Sequence, residues 1–389
     1  MAIVQLAPAI HLHEAMATHS ARLVYVDNLR AIVIGVVIVH HAAQAYGPTG
    51  GEWPIFNPTR AAILEPFFTV NLAFGLGLLF LIAGYFVPRA YDRKGAVRFL
   101  VDRLVRLGVP MLFVSLVLFP LFMYAMDARR QSFIPFLAGY LRQPLALHMW
   151  FVGYLLLASG GYAGWRWLTK RAAPVALRPA AAPRHREILG YALALGLATF
   201  VARIWFPVDR WVSPLPLISI EPAHVPQYLS LFILGIMAER RDWLRQLPSS
   251  TGMAWLRVGL AAAMLPYAAA VLRELTPINI DLGTDGGLNL MALVSSAIEA
   301  LIAVGLCVGL LTLFRDRFDC QSVLARELAA GSYAVYVIHV FPVVALQLAL
   351  AASPLPPLAK FGVVALVAVP LCFGLAYALR RLPGVRRII

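Results

Sequence analysis

Arg30–His41 reads RAIVIGVVIVHH: an arginine, nine apolar or glycine residues, then two histidines. On a helix turning about 100° per residue, the eleven steps from Arg30 to His41 bring the two side chains within roughly 20° of each other. They share one stripe, and His40 lies about 80° to its side. The rise is about 16 Å, more than half of a hydrocarbon core about 30 Å thick. In a bilayer such a helix holds Arg30 at one mouth and His41 deep inside, where an ionisable group is costly and by default marks a functional site. The other reading of either histidine is a ring satisfied by a bond to a neighbouring helix.

Composition supports the membrane setting. The chain of 389 residues is 61% hydrophobic and 13% charged, with a mean hydropathy of +0.77, a balance typical of integral membrane proteins. The three cysteines, Cys307, Cys320 and Cys372, are too far apart for a zinc or redox motif and read as packing residues. A formal charge of +14 could point to nucleic acid. The basic residues sit between apolar runs instead, as membrane topology requires, so no nucleic-acid partner is expected. Met1–Ser20 lacks a basic start followed by a long apolar core, so the helix from Ala31 is expected to act as an uncleaved anchor. His11, His13 and Glu14 resemble a metal cluster on paper, but they fall in an unanchored arm, and no metal site is expected.

Apolar runs predict an all-α polytopic bundle of ten spans at about 31–46, 67–87, 108–126, 148–167, 188–206, 226–239, 254–272, 287–313, 328–350 and 359–379. Residues 1–29 form a cytoplasmic arm in which Asp27 or Asn28 is expected to cap the first helix. Residues 30–382 form the membrane domain and 383–389 a basic tail. Arg171–Arg186 reads as a proline-rich basic connector. Of the 33 lysines and arginines, 25 fall in segments on one side, seven in loops on the other, and Arg203 at a helix end on that second side. The positive-inside rule then places both termini in the cytoplasm, which demands an even number of spans.

Three ionisable groups lie at similar depth. His41 and His339 are each about 16 Å from the inner face, and Glu299 is about 20 Å from the inner end of its helix. A membrane-embedded carboxylate must be paired, protonated or solvated, so Glu299 could orient a histidine and raise its basicity, or form a structural bond between helices. Arg98, Arg103 and Arg106 precede the third span. Arg103 and Arg106 are three apart on one face, and forked guanidinium groups suit phosphates, although such clusters also serve as ordinary anchors. On the opposite side His148 and Trp150 open the fourth span in LHMWFVGYLL, where an aromatic ring beside a polar group suits a sugar. Trp205 and Trp211 read as an interfacial belt.

The fragments RLVYVDNLRAIVIGVVIVHH, FLIAGYF, FLVDRLVRLGVPML, HMWFVGYLLL, YLSLFILGIMAE and SYAVYVIHVFP, in this order, resemble the integral-membrane acyltransferase type-3 family. Within it they are similar to the branch of glucan biosynthesis protein C succinyltransferases. The resemblance runs from about Arg22 to the C-terminal helix. Its hallmark is an arginine, ten residues and a histidine, which selects Arg30 and His41; the adjacent His40 departs from the pattern. The resemblance implies transfer of an acyl group from a cytoplasmic acyl-CoA type donor to a hydroxyl of an extracytoplasmic glycan or lipid-linked sugar, in a multi-pass protein of the bacterial inner membrane. His41 would be the general base, assisted by Glu299 and His339. Arg30, Arg103 and Arg106 would hold the donor, and His148 and Trp150 the acceptor. No bound cofactor is implied beyond the donor itself. The competing class is a glycan exporter or flippase, with the embedded histidines and carboxylate as a proton relay.

Overall fold

A computed structural model describes residues 22–48, 53–126, 132–169, 181–275, 285–385 and 388. His11, His13 and Glu14, where no metal site is expected, most of the N-terminal arm, much of the basic connector and part of the C-terminal tail lie outside them.

Helices occupy all ten intervals that the apolar runs predict. They are α1 (Val24–Gln44), α2 (Glu65–Lys94), α3 (Ala96–Met126), the short α4 (Phe133–Tyr140), α5 (Trp150–Leu168), α6 (His185–Trp205), α7 (Val225–Arg240), α8 (Ser249–Leu275), α9 (Leu290–Arg317), α10 (Val323–Ile338), α11 (Val340–Ala349) and α12 (Pro357–Leu379). Seven of these are long and apolar enough to cross a bilayer: α1, α2, α3, α6, α8, α9 and α12. The pair α10–α11 makes an eighth if counted as one bent span. Two expected spans fall short of that test. The nineteen residues of α5 include glycines, tryptophans and Arg166, and α7 has only sixteen residues. A small antiparallel hairpin, β1 (Val212–Leu215) with β2 (Ile218–Ile220), departs from the all-α expectation.

Three departures from the sequence reading have local causes. The first concerns the start of α1, which begins at Val24, about two turns before the expected span. Its early polar groups find partners beyond α9, where the Tyr25 N–H donates to Asp319 (3.2 Å) and Asn28 Nδ2 to the Phe318 and Cys320 carbonyls. Asp27 is therefore free of capping and instead takes Arg22 at 2.6 Å and Arg30 at 3.1 Å.

The second is in α3, which passes twice through π geometry, at Leu104–Gly108 and Val114–Leu118. Pro110 has no N–H for the Arg106 carbonyl four residues back. Pro120 likewise has none for the Ser115 carbonyl in the five-residue π register. Both carbonyls are taken by tyrosine hydroxyls, Tyr333 on Arg106 and Tyr140 on Ser115, each at 2.7 Å.

The third is the ninth expected span, which bends by 64° between α10 and α11, with His339 at the break. Pro342 lies just beyond and can neither donate to the Ile338 carbonyl nor continue a straight helix past it.

Glycine sets the closest helix contacts. A Cβ on Gly84 of α2 would stand 2.1 Å from the Phe232 carbonyl oxygen of α7, and one on Gly235 2.1 Å from that of Leu81. The two backbones touch there, as small residues allow when lipid supplies no hydrophobic drive between helices. Cys307 and Cys372 pack in the interior, whereas Cys320 is exposed.

Candidate active site

The stripe on α1 faces α10 along its length. Arg30 Nη2 donates to the Ala329 carbonyl (3.3 Å), and eleven residues later His41 Nδ1 stands 3.0 Å from His339 Nε2. The two helices therefore run parallel, and the phase inferred from sequence is the phase that packs.

The hydrogen bonds around this pair determine which nitrogen carries each proton. His339 Nδ1 lies 2.7 Å from the Tyr336 carbonyl, which can only accept. Neutral His339 is thus protonated on Nδ1, and its Nε2 offers a lone pair. His41 Nδ1 must then donate, with His339 Nε2 at 3.0 Å and the Val37 carbonyl at 2.9 Å as acceptors. The remaining nitrogen of His41, Nε2, keeps its lone pair, as a general base requires.

Trp53 stacks on the His41 ring at 5.1 Å and 27°. Its indole N–H donates to Gln347 Oε1 (2.8 Å), whose amide in turn donates to the His41 and Ala42 carbonyls (3.1 and 3.2 Å). The imidazole is thus clamped by α11 and by the loop after α1. His40 also reaches the neighbouring cavity, but its ring contacts are Phe68 at 5.1 Å, Phe67 at 6.3 Å and His41 itself.

That cavity holds about 510 Å³. Its lining includes His40, His41, Trp53 and His148 together with Trp150, Trp211, Asp209 and Glu221. His148 is buried, with Nε2 on the Val337 carbonyl (3.1 Å), and its ring centroid is 5.4 Å from that of His339. Its own carbonyl accepts the Tyr336 hydroxyl. Trp150 meets Trp211 at 5.2 Å, so Trp211 lines the cavity rather than forming a belt. Trp205 is 62% exposed, as a belt residue would be.

The hairpin supplies Ser213 and Ser219, whose hydroxyls lie 2.8 Å apart. In the adjoining loops burial raises the Asp209 carboxyl, and the neighbouring Glu221 carboxylate adds to the shift. Burial would also raise Glu221, but the His224 ring 2.9 Å away and the Asp209 backbone N–H hold it below the ordinary range. Glu221 therefore carries a negative charge on the cavity wall.

Glu299 does not join the histidines. Both its oxygens are taken by Arg203, at 2.8 and 2.6 Å, and Arg203 is fully buried. His224 Nε2 lies 3.3 Å from Arg203, so the network Glu299–Arg203–His224–Glu221 ends at the cavity wall through Glu221. The predicted basic group lies at the other end of α10. Arg30 bonds at Ala329, and one turn on, Tyr333 holds the Arg106 carbonyl. Arg103 lies over Phe99 at 5.1 Å, and Arg106 pairs with Asp102 at 3.2 Å. The Nε atoms of Arg30 and Arg103 are buried without a hydrogen-bond partner.

Sequence reasoning missed Trp53, Gln347 and Glu221, and also Asn71 of α2, which lines the same cavity. A polar residue inside an apolar run was the available signal for Gln347 in VVALQLAL and Asn71 in TVNLAFG. Nothing local marked Trp53 or Glu221, which the loops bring in.

An acyltransferase domain model matches residues 23–377, almost the whole chain. The chain belongs to this acyltransferase family. Similar curated proteins include the glucans biosynthesis protein C of Salmonella paratyphi A (strain ATCC 9150 / SARB42), of Salmonella agona (strain SL483) and of Salmonella enteritidis PT4 (strain P125109). Each is 28% identical over 225 residues, which cover 55% of this chain and 57% of the relative. The match thus spans little more than half the length of those relatives. No solved structure matches the chain.

Proposed function

We propose that this protein is a membrane O-acyltransferase of ten spans with both termini in the cytoplasm of a bacterial inner membrane. It takes an acyl group from a cytoplasmic acyl-CoA type donor and places it on a hydroxyl of an extracytoplasmic glycan or lipid-linked sugar. The observation that carries the reading is the His41–His339 pair, which leaves His41 Nε2 as the basic nitrogen beside a cavity. Relative helix directions support the topology. α1 and α10 run parallel, as the first and ninth spans must. So do α2 and α7, tied at Gly84–Phe232 and again at Arg89–Glu239.

Donor phosphates bind Arg30, Arg103 and Arg106, whose forked guanidinium groups suit them. The thioester arm lies along the seam of α1 and α10, about 16 Å to His41. The acceptor hydroxyl enters between Trp150 and His148. His41 Nε2 removes its proton while the oxygen attacks the thioester carbonyl. The carbon–sulfur bond breaks, an ester forms, and the proton passes from His41 to the departing thiolate. The Nδ1–H bond to His339 persists throughout, so the imidazolium keeps its orientation.

The test uses proteoliposomes with acyl-CoA on the Arg30 side and glycan on the other, read by mass spectrometry of the glycan. Wild-type protein acylates the outer glycan with no glycan moving inward. His41→Ala loses about 10²–10⁴-fold, and His40→Ala keeps substantial activity. Reversed effects would reject His41 as base, and transport of unmodified glycan would favour an exporter.

A further inference from the structure

The cavity beside His41 has an arm that the acceptor does not need. On α1 its lining continues past the histidines to Val37, Val36 and Val33, towards Arg30, and on α2 it takes in Asn71, Leu72, Gly75 and Leu76. Along α1 the step from His41 back to Val33 is about 12 Å, on the stripe that leads from Arg30. Here α2 lies antiparallel to α1. A Cβ on Gly47, just past α1, would stand 3.1 Å from Leu64, the residue before α2, and one turn into α2 Phe68 meets His40 at 5.1 Å. Asn71 therefore sits about 4.5 Å further along α2 than Phe68, towards the level of Arg30.

Among the α1 and α2 residues of this arm, Asn71 alone carries a polar side chain. Its Nδ2 is buried and has no hydrogen-bond partner among the described residues. An amide N–H left in that state is costly, and in a native fold it needs a reason. Gly75 lies one turn on along the same face of α2. A Cβ built there meets no atom within 4 Å, so that face borders open space rather than packed side chains. Nearer His41 the polar groups are engaged: Trp53 Nε1 donates to Gln347, and the Gln347 amide to the His41 and Ala42 carbonyls.

From this arrangement we infer that Asn71 is a catalytic residue of the acyl transfer, its Nδ2–H the donor that holds the carbonyl oxygen of the acyl-CoA thioester. The inference rests on the functional reading above, which supplies a base but no group to meet the charge that develops on that oxygen. When the acceptor oxygen attacks the carbonyl carbon and His41 Nε2 takes its proton, the C=O π pair moves onto the carbonyl oxygen. That oxyanion accepts from Asn71. As the pair returns, the carbon–sulfur bond breaks and the thiolate takes the proton from His41. A donor already fixed in an apolar arm needs no reorganisation at that moment.

Isotope-edited infrared spectroscopy of the full chain in nanodiscs tests this with acetyl-CoA labelled at the carbonyl carbon and no acceptor present. Hydrogen bonding lowers a carbonyl stretch, so the bound band should lie lower in the wild type than in Asn71→Leu or Asn71→Ala. His41→Ala should keep the wild-type band while losing turnover. With glycan added, Asn71→Leu should lower kcat by about 10²–10³-fold at unchanged acceptor KM, the loss typical of one oxyanion donor. Its melting temperature should hold or rise, because an unpartnered amide is exchanged for an apolar group of similar shape. A carbonyl band unmoved in both Asn71 variants, or a rate near wild type in Asn71→Leu, would overturn the assignment while leaving His41 as base. Wild-type protein that neither binds nor transfers the acyl group would overturn the functional reading and this inference with it.

Discussion

Replacing Glu299 with glutamine separates its two possible roles. The carboxylate makes a two-pronged pair with Arg203, a side chain with no exposed surface, and it is itself only 14% exposed. Glutamine keeps the shape and one acceptor oxygen but removes the charge opposite the guanidinium. Breaking a buried pair by removing one partner costs about 3–5 kcal/mol, because a buried charge is left uncompensated. At about 2 °C per kcal/mol, the lower end for chains of this size, the melting temperature should fall by roughly 6–10 °C. Catalysis per folded molecule should change little, since both carboxylate oxygens point to Arg203 rather than to His41. The assay pairs thermal unfolding of purified protein in detergent with initial acylation rates normalised to folded protein. A variant that melts like the wild type yet loses a hundredfold in rate would refute the structural role and restore Glu299 to the catalytic set.

Other outcomes follow from the same geometry. His339→Ala removes one of the two acceptors of the His41 Nδ1 proton and the ring that packs beside it, leaving the Val37 carbonyl, so kcat should fall at least about tenfold while the donor KM stays within a factor of two, as steady-state kinetics will show. Arg103→Ala should weaken donor binding by roughly ten- to hundredfold without altering acceptor binding, measured by titration on each side. The cavity beside His41 carries Asp209 and Glu221 and, among its lining residues, no lysine or arginine. A neutral glycan should therefore be acylated several-fold faster than one bearing a uronate next to the hydroxyl, and Glu221→Gln should narrow that difference in a competition assay. Reporter fusions at Pro183, Asp281 and the C-terminus should read inside, outside and inside.

Much of this protein is determined by local composition. Apolar runs located helices in all ten intervals, because the bilayer and the helical rise together set how long such a run must be. The eleven-residue spacing in RAIVIGVVIVHH placed Arg30 and His41 on one stripe, because angular position around a helix depends only on residue count. Count says nothing, however, about which helix faces that stripe. His41 meets His339 across nearly three hundred residues, and Glu299, at similar depth, is drawn to Arg203 instead. Pairing at that range depends on where glycines let backbones touch, as at Gly84 and Gly235, and on where prolines release carbonyls for other groups to satisfy. The bend at His339, the clamp of Trp53 and Gln347 and the carboxylate wall from the hairpin loops belong to that second level. The sequence alone determined a helical membrane bundle with a histidine and an arginine on one stripe of its first helix. Tertiary packing decided that this histidine has a partner, a protonated Nδ1 and a cavity beside its other nitrogen.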